Sequence, residues 1–529
     1  MNEKKNRLRV WFLVSASGLA AAAGSCSRKA ASPAPASSLA LSTPYELDTL
    51  DPHARDWAGS MAIAANFYEP LVTTDASMQL KPALAASWES PDPLTWIFHL
   101  RKSVRFHSGR PLTAEDVVYS FTRLRGDPSL KLGNSVRGIA QARALGPLTV
   151  QVTTDRPFAR LLYHLQYALI VPRGSGSESL DRAVDGTGPY LLGRWTRGER
   201  IEMRRNPAYW GEAPRVERVA YGLGRSSARS LRELLTGRSQ LAQLQERTDV
   251  AAAAARPDVT VQKRSSLFVT YLQFNVSAET HPGGSTGENP FSRPEVREAI
   301  DRAIDRSGIA AALPAEAIPA SQLVAPAVYG YSPSVRVPEI DLAGARRLLR
   351  IAGYPDGFTA TLCARPMMAA IAGDLREMLG RIGVRLRVEI LPDPAFFALA
   401  ERREAALILN RFACDTEYAG EALDQVIHTR DTGRRLGENN YGHFSDPGLD
   451  AEIDEIDEAS FSSDARDTVR EIMRRVAELR PIIPLVVAVD VYATRRDVVW
   501  EPRDDSDIRA AEIGLTAAGP TDRAPAGNR

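Results

Sequence analysis

Cysteine is nearly absent: there are three in 529 residues, at 26, 363 and 414. A small disulfide-stapled scaffold is thereby excluded. Cys363 and Cys414 are left either to pair in an oxidising compartment or to stay as separate buried thiols. Histidine is sparse too. The seven residues His53, His99, His107, His164, His281, His428 and His443 never pair at i, i+3 or i, i+4, so the sequence carries no helical metal-ligand motif and implies no metal or other cofactor. An excess of one charge is also lacking. The formal net charge is +1, which argues against nucleic acid or another polyanion as partner. Beyond the N-terminal stretch no apolar run approaches the ~20 residues that cross a bilayer as a helix. What is there is an ordinary globular composition, 44% hydrophobic and 25% charged, with length for two to three domains.

Lys4, Lys5, Arg7 and Arg9 form a positive segment ahead of an apolar or small stretch at residues 10–23. That stretch is too short to span a membrane and reads as the core of a secretory signal, residues 1–25. It ends in Ala23, Gly24, Ser25 and Cys26. Small residues followed by cysteine resemble the lipobox of bacterial lipoproteins, with Ala23 where Leu is commoner. The resemblance implies cleavage before Cys26 and acylation of its thiol. An ordinary cleaved signal with an incidental cysteine is the alternative. Each buried CH₂ of an acyl chain contributes ~0.8 kcal/mol, so several chains on one residue anchor stably. The Ser-, Ala- and Pro-rich stretch from Cys26 to residue 38 buries too little apolar surface to order itself and reads as a flexible linker. Residues 516–529 read as a similar disordered tail.

Between these ends, helical and strand patterns alternate, as in an α/β protein. Residues 94–100 and 148–152 alternate as strands. Thr113 and Asp116 frame a capping box, with Val117, Val118, Phe121 and Leu124 at helical spacing behind it. Strands are expected at 269–275, 360–363, 384–390 and 405–409. Helices are expected at 294–309, 343–351, 371–382 and 463–479. A short apolar strand at 482–487 is expected to stop at the charge of Asp490.

Several stretches in order then become specific. Tyr68-Glu69-Pro70-Leu71-Val72 is followed by Trp96-Ile97-Phe98-His99-Leu100 and by His107-Ser108-Gly109-Arg110-Pro111-Leu112-Thr113-Ala114-Glu115-Asp116. Gly186-Thr187-Gly188-Pro189-Tyr190 precedes Asn206-Pro207-Ala208-Tyr209-Trp210. Arg293-Pro294-Glu295-Val296 and Pro481-Ile482-Ile483-Pro484-Leu485 complete the series. Together they resemble the extracytoplasmic solute-binding proteins of family 5, the peptide, dipeptide and nickel binders of ABC importers, over about residues 40–510. Their physical content is mostly turns and caps, so they mark the fold more than a site. The resemblance implies a two-lobed periplasmic-binding-protein-like fold of type II with an interlobe ligand cleft. Lobe I is expected from 39–55, 187–266 and 483–515, an extra subdomain from 56–186, and lobe II from 267–482. The strands crossing between lobes are expected near 266–270 and 479–483. It further implies a monomeric, exported, membrane-anchored receptor, periplasmic or at the cell surface, that captures a small-molecule or oligopeptide ligand and delivers it to an ABC permease.

In peptide binders of this family an Asp after an aromatic-x-x-Asp pattern meets the ligand's ammonium. Phe412-Ala413-Cys414-Asp415 fits that pattern, although the Pro that often follows is missing. A loop cap is the alternative role for Asp415. Arg365 follows a strand whose end faces the cleft if the resemblance holds, and would meet a carboxylate, with a solvated surface arginine as the alternative role; Arg411 is the second choice. The loop 57–61, with Ser60 and Met61, sits where the family's first lobe offers main-chain groups to an extended peptide.

Three rivals stand beside this reading. Residues 283–287 match Gly-x-Ser-x-Gly, but no apolar strand abuts them as a nucleophile elbow requires, and no base converges, so a hydrolase is disfavoured. A metal-chelate, nickel or haem binder of the same fold is the main alternative. A sugar or opine binder would differ by aromatic stacking in the cleft.

Overall fold

The computed structural model describes residues 37–158, 160–277, 288–416, 418–458 and 463–516. The leader, Cys26 and the linker to residue 36 lie outside the described residues, as do the Gly-x-Ser-x-Gly match and the tail from 517.

Two long strands organise the fold. In Val259–Phe274, Val269 and Tyr271 enter one core while Leu272 and Phe274 enter another, so this half is buried on both faces. It pairs antiparallel with Ile482–Arg495. On one side of this pair lie Leu407–Ala413, Phe358–Ala364 and Val384–Ile390. On the other lie Leu241–Leu244, Ser38–Ser42, Arg218–Gly222, Arg200–Arg205 and Tyr190–Thr196. Ser265 faces Val489, yet Val269 faces Val487. The first strand therefore carries extra residues at 266–268, and such a bulge bends the ladder. The bend falls where the two lobes of this α/β fold meet, and each side packs its own hydrophobic cores.

The extra subdomain is a four-stranded antiparallel sheet ordered Ala85–Asp92, Thr95–Leu100, Thr149–Thr154, Ile139–Gly146. The helix Ala114–Gly126 packs Val117, Phe121 and Leu124 against it in the same core as Phe98, Val150 and Val152. Thr113 and Asp116 form the expected capping box. Asp116, fully buried, also accepts from Arg110 at 2.5 Å and from the Arg173 amide at 2.8 Å.

The recognisable motifs meet in space. Glu69 is buried and accepts three hydrogen bonds: Thr187 Oγ1 at 2.7 Å, Tyr209 hydroxyl at 2.7 Å and Trp210 Nε1 at 2.8 Å. Burial outweighs these donors and lifts its pKa to about 7. Gly186 and Gly188 pass so close to Phe67 that a Cβ on Gly186 would sit 1.9 Å from the Phe67 carbonyl oxygen. These contacts tie the segment around Phe67 and Glu69 to the segments around Gly186 and Tyr209.

Four expectations change. The second long strand does not stop at Asp490, because Gln243 donates to that carboxylate at 3.5 Å and the Ser266 and Ser506 hydroxyls also reach it. The helix from 294 divides into Pro294–Ala303 and Arg306–Ala312, since Asp305 accepts the Gly308 amide at 2.8 Å and caps a new start. Residues 57–61 are not a loop. Ala58–Ala64 is a helix, and the Met61 amide donates to the Trp57 carbonyl at 3.0 Å, so it cannot pair with an extended peptide. Finally, the strand expected at 405–409 is Leu407–Ala413 and contains Phe412. Cys363 and Cys414 are buried and unbridged.

Candidate ligand-binding site

A cavity of about 260 Å³ lies between the two lobes. One wall is supplied by residues 56–167: Asp56, Met61, Lys131, Asn134, Ser135, Arg137, His164 and Tyr167. The facing wall holds Phe412, Ala413, Asp415, Thr416, Glu421, Gln425 and Asn439. Among the sequence-derived candidates, Met61, Phe412 and Asp415 are brought together here. A larger crevice of about 760 Å³ opens beside the cavity and shares Lys131, Asn134 and Arg137 with it.

Local structure explains the placement. Phe412 pairs with Val269 of the first long strand. That strand holds the aromatic ring at the cavity, and the chain turns to present Asp415 two residues after the strand ends. The Asp415 carbonyl accepts the Tyr167 hydroxyl from the opposite wall. Its carboxylate makes no hydrogen bond among the described residues. Burial, then the acids Glu421, Asp56 and Asp507, push its pKa well above the usual carboxylate range. Glu421 is raised too, chiefly by burial, although the Thr416 amide and hydroxyl each donate to it at 2.8 Å. The acceptor-rich end of the cavity therefore has no cation of its own at Asp415.

The opposite chemistry lies in the contacts that join the walls. Asp424 Oδ2 accepts from Arg137 at 3.0 Å and from Arg160 at 2.6 Å. Arg160 and Asp424 are each about 1% exposed. Two guanidiniums outweigh the burial of Asp424 and hold its pKa down. Arg160 also stands 5.2 Å over the Tyr418 ring. Asp424 sits in a one-turn π-helix, Leu423–Ile427, so that it reaches the arginines while its neighbour Gln425 lines the cavity. Such turns are rare and recur at functional sites. His164 is held neutral, first by burial and then by Arg137 and Arg160. Its Nε2 is buried without a partner.

The remaining candidates lie elsewhere. Ser60 donates to the Glu46 carbonyl at 3.3 Å and lines a separate small hollow. Arg365 follows its strand as expected. It stacks over Phe396 and Phe397 and reaches Asp393 at 3.5 Å, and it does not line the cavity. Arg411 stands 4.4 Å over Phe268 and is likewise outside the cavity lining. Sequence reading missed Arg137, His164, Glu421 and Asp424. Arg137 and Asp424 are 287 positions apart, and no local pattern announces such a pair. Among the described residues no group of three or more His, Cys, Asp or Glu is placed to hold a metal ion. No helix among them is long and apolar enough to cross a membrane.

Comparison with known proteins is consistent with this architecture. Residues 79–433 match the family model of bacterial extracellular solute-binding proteins, family 5, middle. The glutathione-binding protein GsiB of Salmonella choleraesuis is 30% identical over 381 residues, covering 70% of this chain and 72% of the relative. Solved structures with the same fold include DppA from Helicobacter pylori in complex with the peptide STSA, at 22% identity and a TM-score of 0.74 over 90% of this chain and 98% of that one. HbpA2 from Haemophilus parasuis gives 20% identity and a TM-score of 0.79 over 91% and 100%. NikA from Staphylococcus aureus in complex with Ni(L-His)₂ gives 18% and 0.71 over 91% and 100%. Proteins of this family bind solutes and are not enzymes. A two-lobed frame, an interlobe cavity and motifs spent on holding the frame together complete the case: the chain belongs to the bacterial extracellular solute-binding proteins of family 5.

Proposed function

We propose that the protein captures a peptide-like solute in the interlobe cavity and hands it to the membrane permease of an ABC importer. One observation carries this reading: Asp415, a carboxylate facing the cavity with acidic neighbours and no hydrogen bond of its own. A carboxylate partly sheltered from water beside other acids and without a partner is costly, and a ligand ammonium removes that cost with a charge-assisted hydrogen bond. Phe412 and Met61 supply apolar contact beside it. Glutathione and the peptide STSA, bound by a relative and by a protein of like fold, are both peptides. Hinge closure about the bulge at 266–268 gives the permease a liganded shape to recognise. In this proposal Cys26 carries the lipid, and the linker to residue 38 lets the receptor turn at the membrane. A Cys26→Ser protein that still incorporated labelled fatty acid would remove that part.

The test is a thermal-shift and calorimetric panel of di- to pentapeptides against the purified protein. A ligand at 100 times its Kd raises stability by about 2.7 kcal/mol. A second reading, capture of a metal chelate, is favoured by the neutral His164 with its unpartnered Nε2 at the cavity. If nickel-histidine raised the melting point while no peptide did, that reading would replace the first.

A further inference from the structure

Resting on the anchoring part of that reading, we propose that the end of the sheet where the linker joins the fold is a membrane-docking face, on which Arg204, Arg215, Arg218 and Arg238 meet the anionic phospholipid headgroups of a bilayer.

Three strands start at this end. Ser38–Ser42 runs parallel to Arg218–Gly222, with Ser38 opposite Arg218, and parallel to Leu241–Leu244 on its other side. Ser37, which follows the linker, is bonded into the same place. Its carbonyl accepts the amides of Glu217 at 3.2 Å and Arg218 at 3.1 Å, and its hydroxyl donates to the Arg215 carbonyl at 3.3 Å. Arg204 is the cross-strand partner of Arg218. Arg238 stands just before Gln240, whose amide donates to the Ala40 carbonyl at 2.8 Å. The chain from Cys26 therefore enters the fold among four arginines.

The fold itself does not use these charges. All four side chains are exposed, and none makes an ion pair or a side-chain hydrogen bond among the described residues. Arg204 and Arg218 face each other directly, and like charges opposite each other on an antiparallel pair are unfavourable. An anion shared between them turns that repulsion into attraction. Glu212 and Glu217 are the acids of the segment, and the nearby Glu202 is taken by Arg200 at 2.9 Å. Four cations against two acids leave this end positive, although the whole chain is almost balanced at +1. The ligand cavity lies toward the other end of the strands. There Tyr45, just past Ser42, is acted on by Asp507, the same acid that acts on Asp415.

The linker selects the partner. The eleven peptide steps from Cys26 to Ser37 reach at most ~40 Å, so a lipid on Cys26 keeps this end of the fold beside the bilayer. Salt screens exposed charges beyond ~8 Å, and an arginine cluster acts only on a surface held that close. Arg347, Arg350 and Arg381 are also exposed and without an ion pair among the described residues. They belong to the helix Leu342–Ile351 and to the turn before Val384–Ile390, where the linker does not enter, and they make a charge-matched control.

Flotation of the full-length Cys26→Ser protein with phosphatidylcholine vesicles, with and without phosphatidylglycerol, tests the face. Removing the lipid leaves the charges to be read alone, and the leader is common to every variant and cancels in the ratios. The protein is expected to prefer the anionic vesicles and to lose that preference at high salt. An arginine at an anionic surface contributes about 5-fold. Arg204→Gln, Arg218→Gln and Arg238→Gln together should therefore lower the preference about 100-fold, with the melting temperature unchanged. The three corresponding Lys replacements should keep it, and they serve if the Gln variant melts early. Equal binding to the two kinds of vesicle would overturn the proposal. So would a preference kept by the Gln variant, or an equal loss on Arg347→Gln, Arg350→Gln and Arg381→Gln. Labelled fatty acid separates docking from anchoring. If wild type takes up none while the Cys26→Ser protein still prefers phosphatidylglycerol through these arginines, the anchoring is refuted and the docking face stands.

Discussion

Replacing Asp415 by Asn should act in opposite directions on the free and the liganded protein. In the liganded protein the variant loses the charge that meets the ammonium. Removing one member of a sheltered charge pair costs ~2–5 kcal/mol. Asp415 is only partly buried by its surroundings, so the low end applies, about 2–3 kcal/mol or a roughly 30- to 150-fold rise in Kd. In the free protein the same change should stabilise. Burial and three acids raise the Asp415 pKa above its unfolded value. A carboxyl raised on folding contributes stability below the unfolded pKa of ~3.9, and that contribution is lost as pH rises through the folded pKa. At pH 7 wild type carries the cost and the amide does not. Relief on the order of 0.5–1 kcal/mol would raise Tm by about 1–4 °C, given ~2–4 °C per kcal/mol in domains of 150–250 residues. Differential scanning fluorimetry with and without peptide reads both signs. An Asp415→Asn protein that melts below wild type when free, or binds peptide equally well, would refute the reasoning.

Further outcomes follow from other groups. Burial lifts Glu69 to about 7, so the stability of wild type relative to Glu69→Gln should fall as pH rises from about 4 to about 7; a difference that stays constant over that range would contradict this. Trp210→Phe removes one of three donors to Glu69 and should cost about 1–3 kcal/mol in chemical denaturation without altering ligand preference. Asp424→Ala removes from Arg137 and Arg160 the carboxylate that they share. It should cost ~3–5 kcal/mol of the closed state and enlarge the radius of gyration of the liganded protein in small-angle scattering; an unchanged radius would show that closure does not depend on this contact.

The sequence was most readable where the physics is local. Thr113 and Asp116 cap a helix through a three-residue spacing, and 463–479 show the period of a helix that the structure places at Ser463–Leu479. Motifs such as Tyr68-Glu69 and Tyr209-Trp210 signalled the fold, though the reason, a buried carboxylate with three donors, needs coordinates. Reading failed where distant residues decide. Asp490 looked like a strand stop because its partners Gln243 and Ser266 come from more than 220 positions away. Residues 57–61 looked like a loop because the helix Ala58–Ala64 has no side-chain cap. At the candidate site, a short pattern points to Phe412 and Asp415, and both line the cavity. No such pattern points to Arg137, Arg160 and Asp424, since their meaning arises only when the extra subdomain and the second lobe meet.

The central claim is that the cavity holds a peptide by its ammonium. The most direct measurement is calorimetric titration of the wild-type protein with one tightly bound short peptide and with the same peptide acetylated at its N-terminus. Acetylation is expected to weaken binding by at least about 30-fold, since it removes the charge that meets Asp415. Equal affinity for the two forms would contradict it.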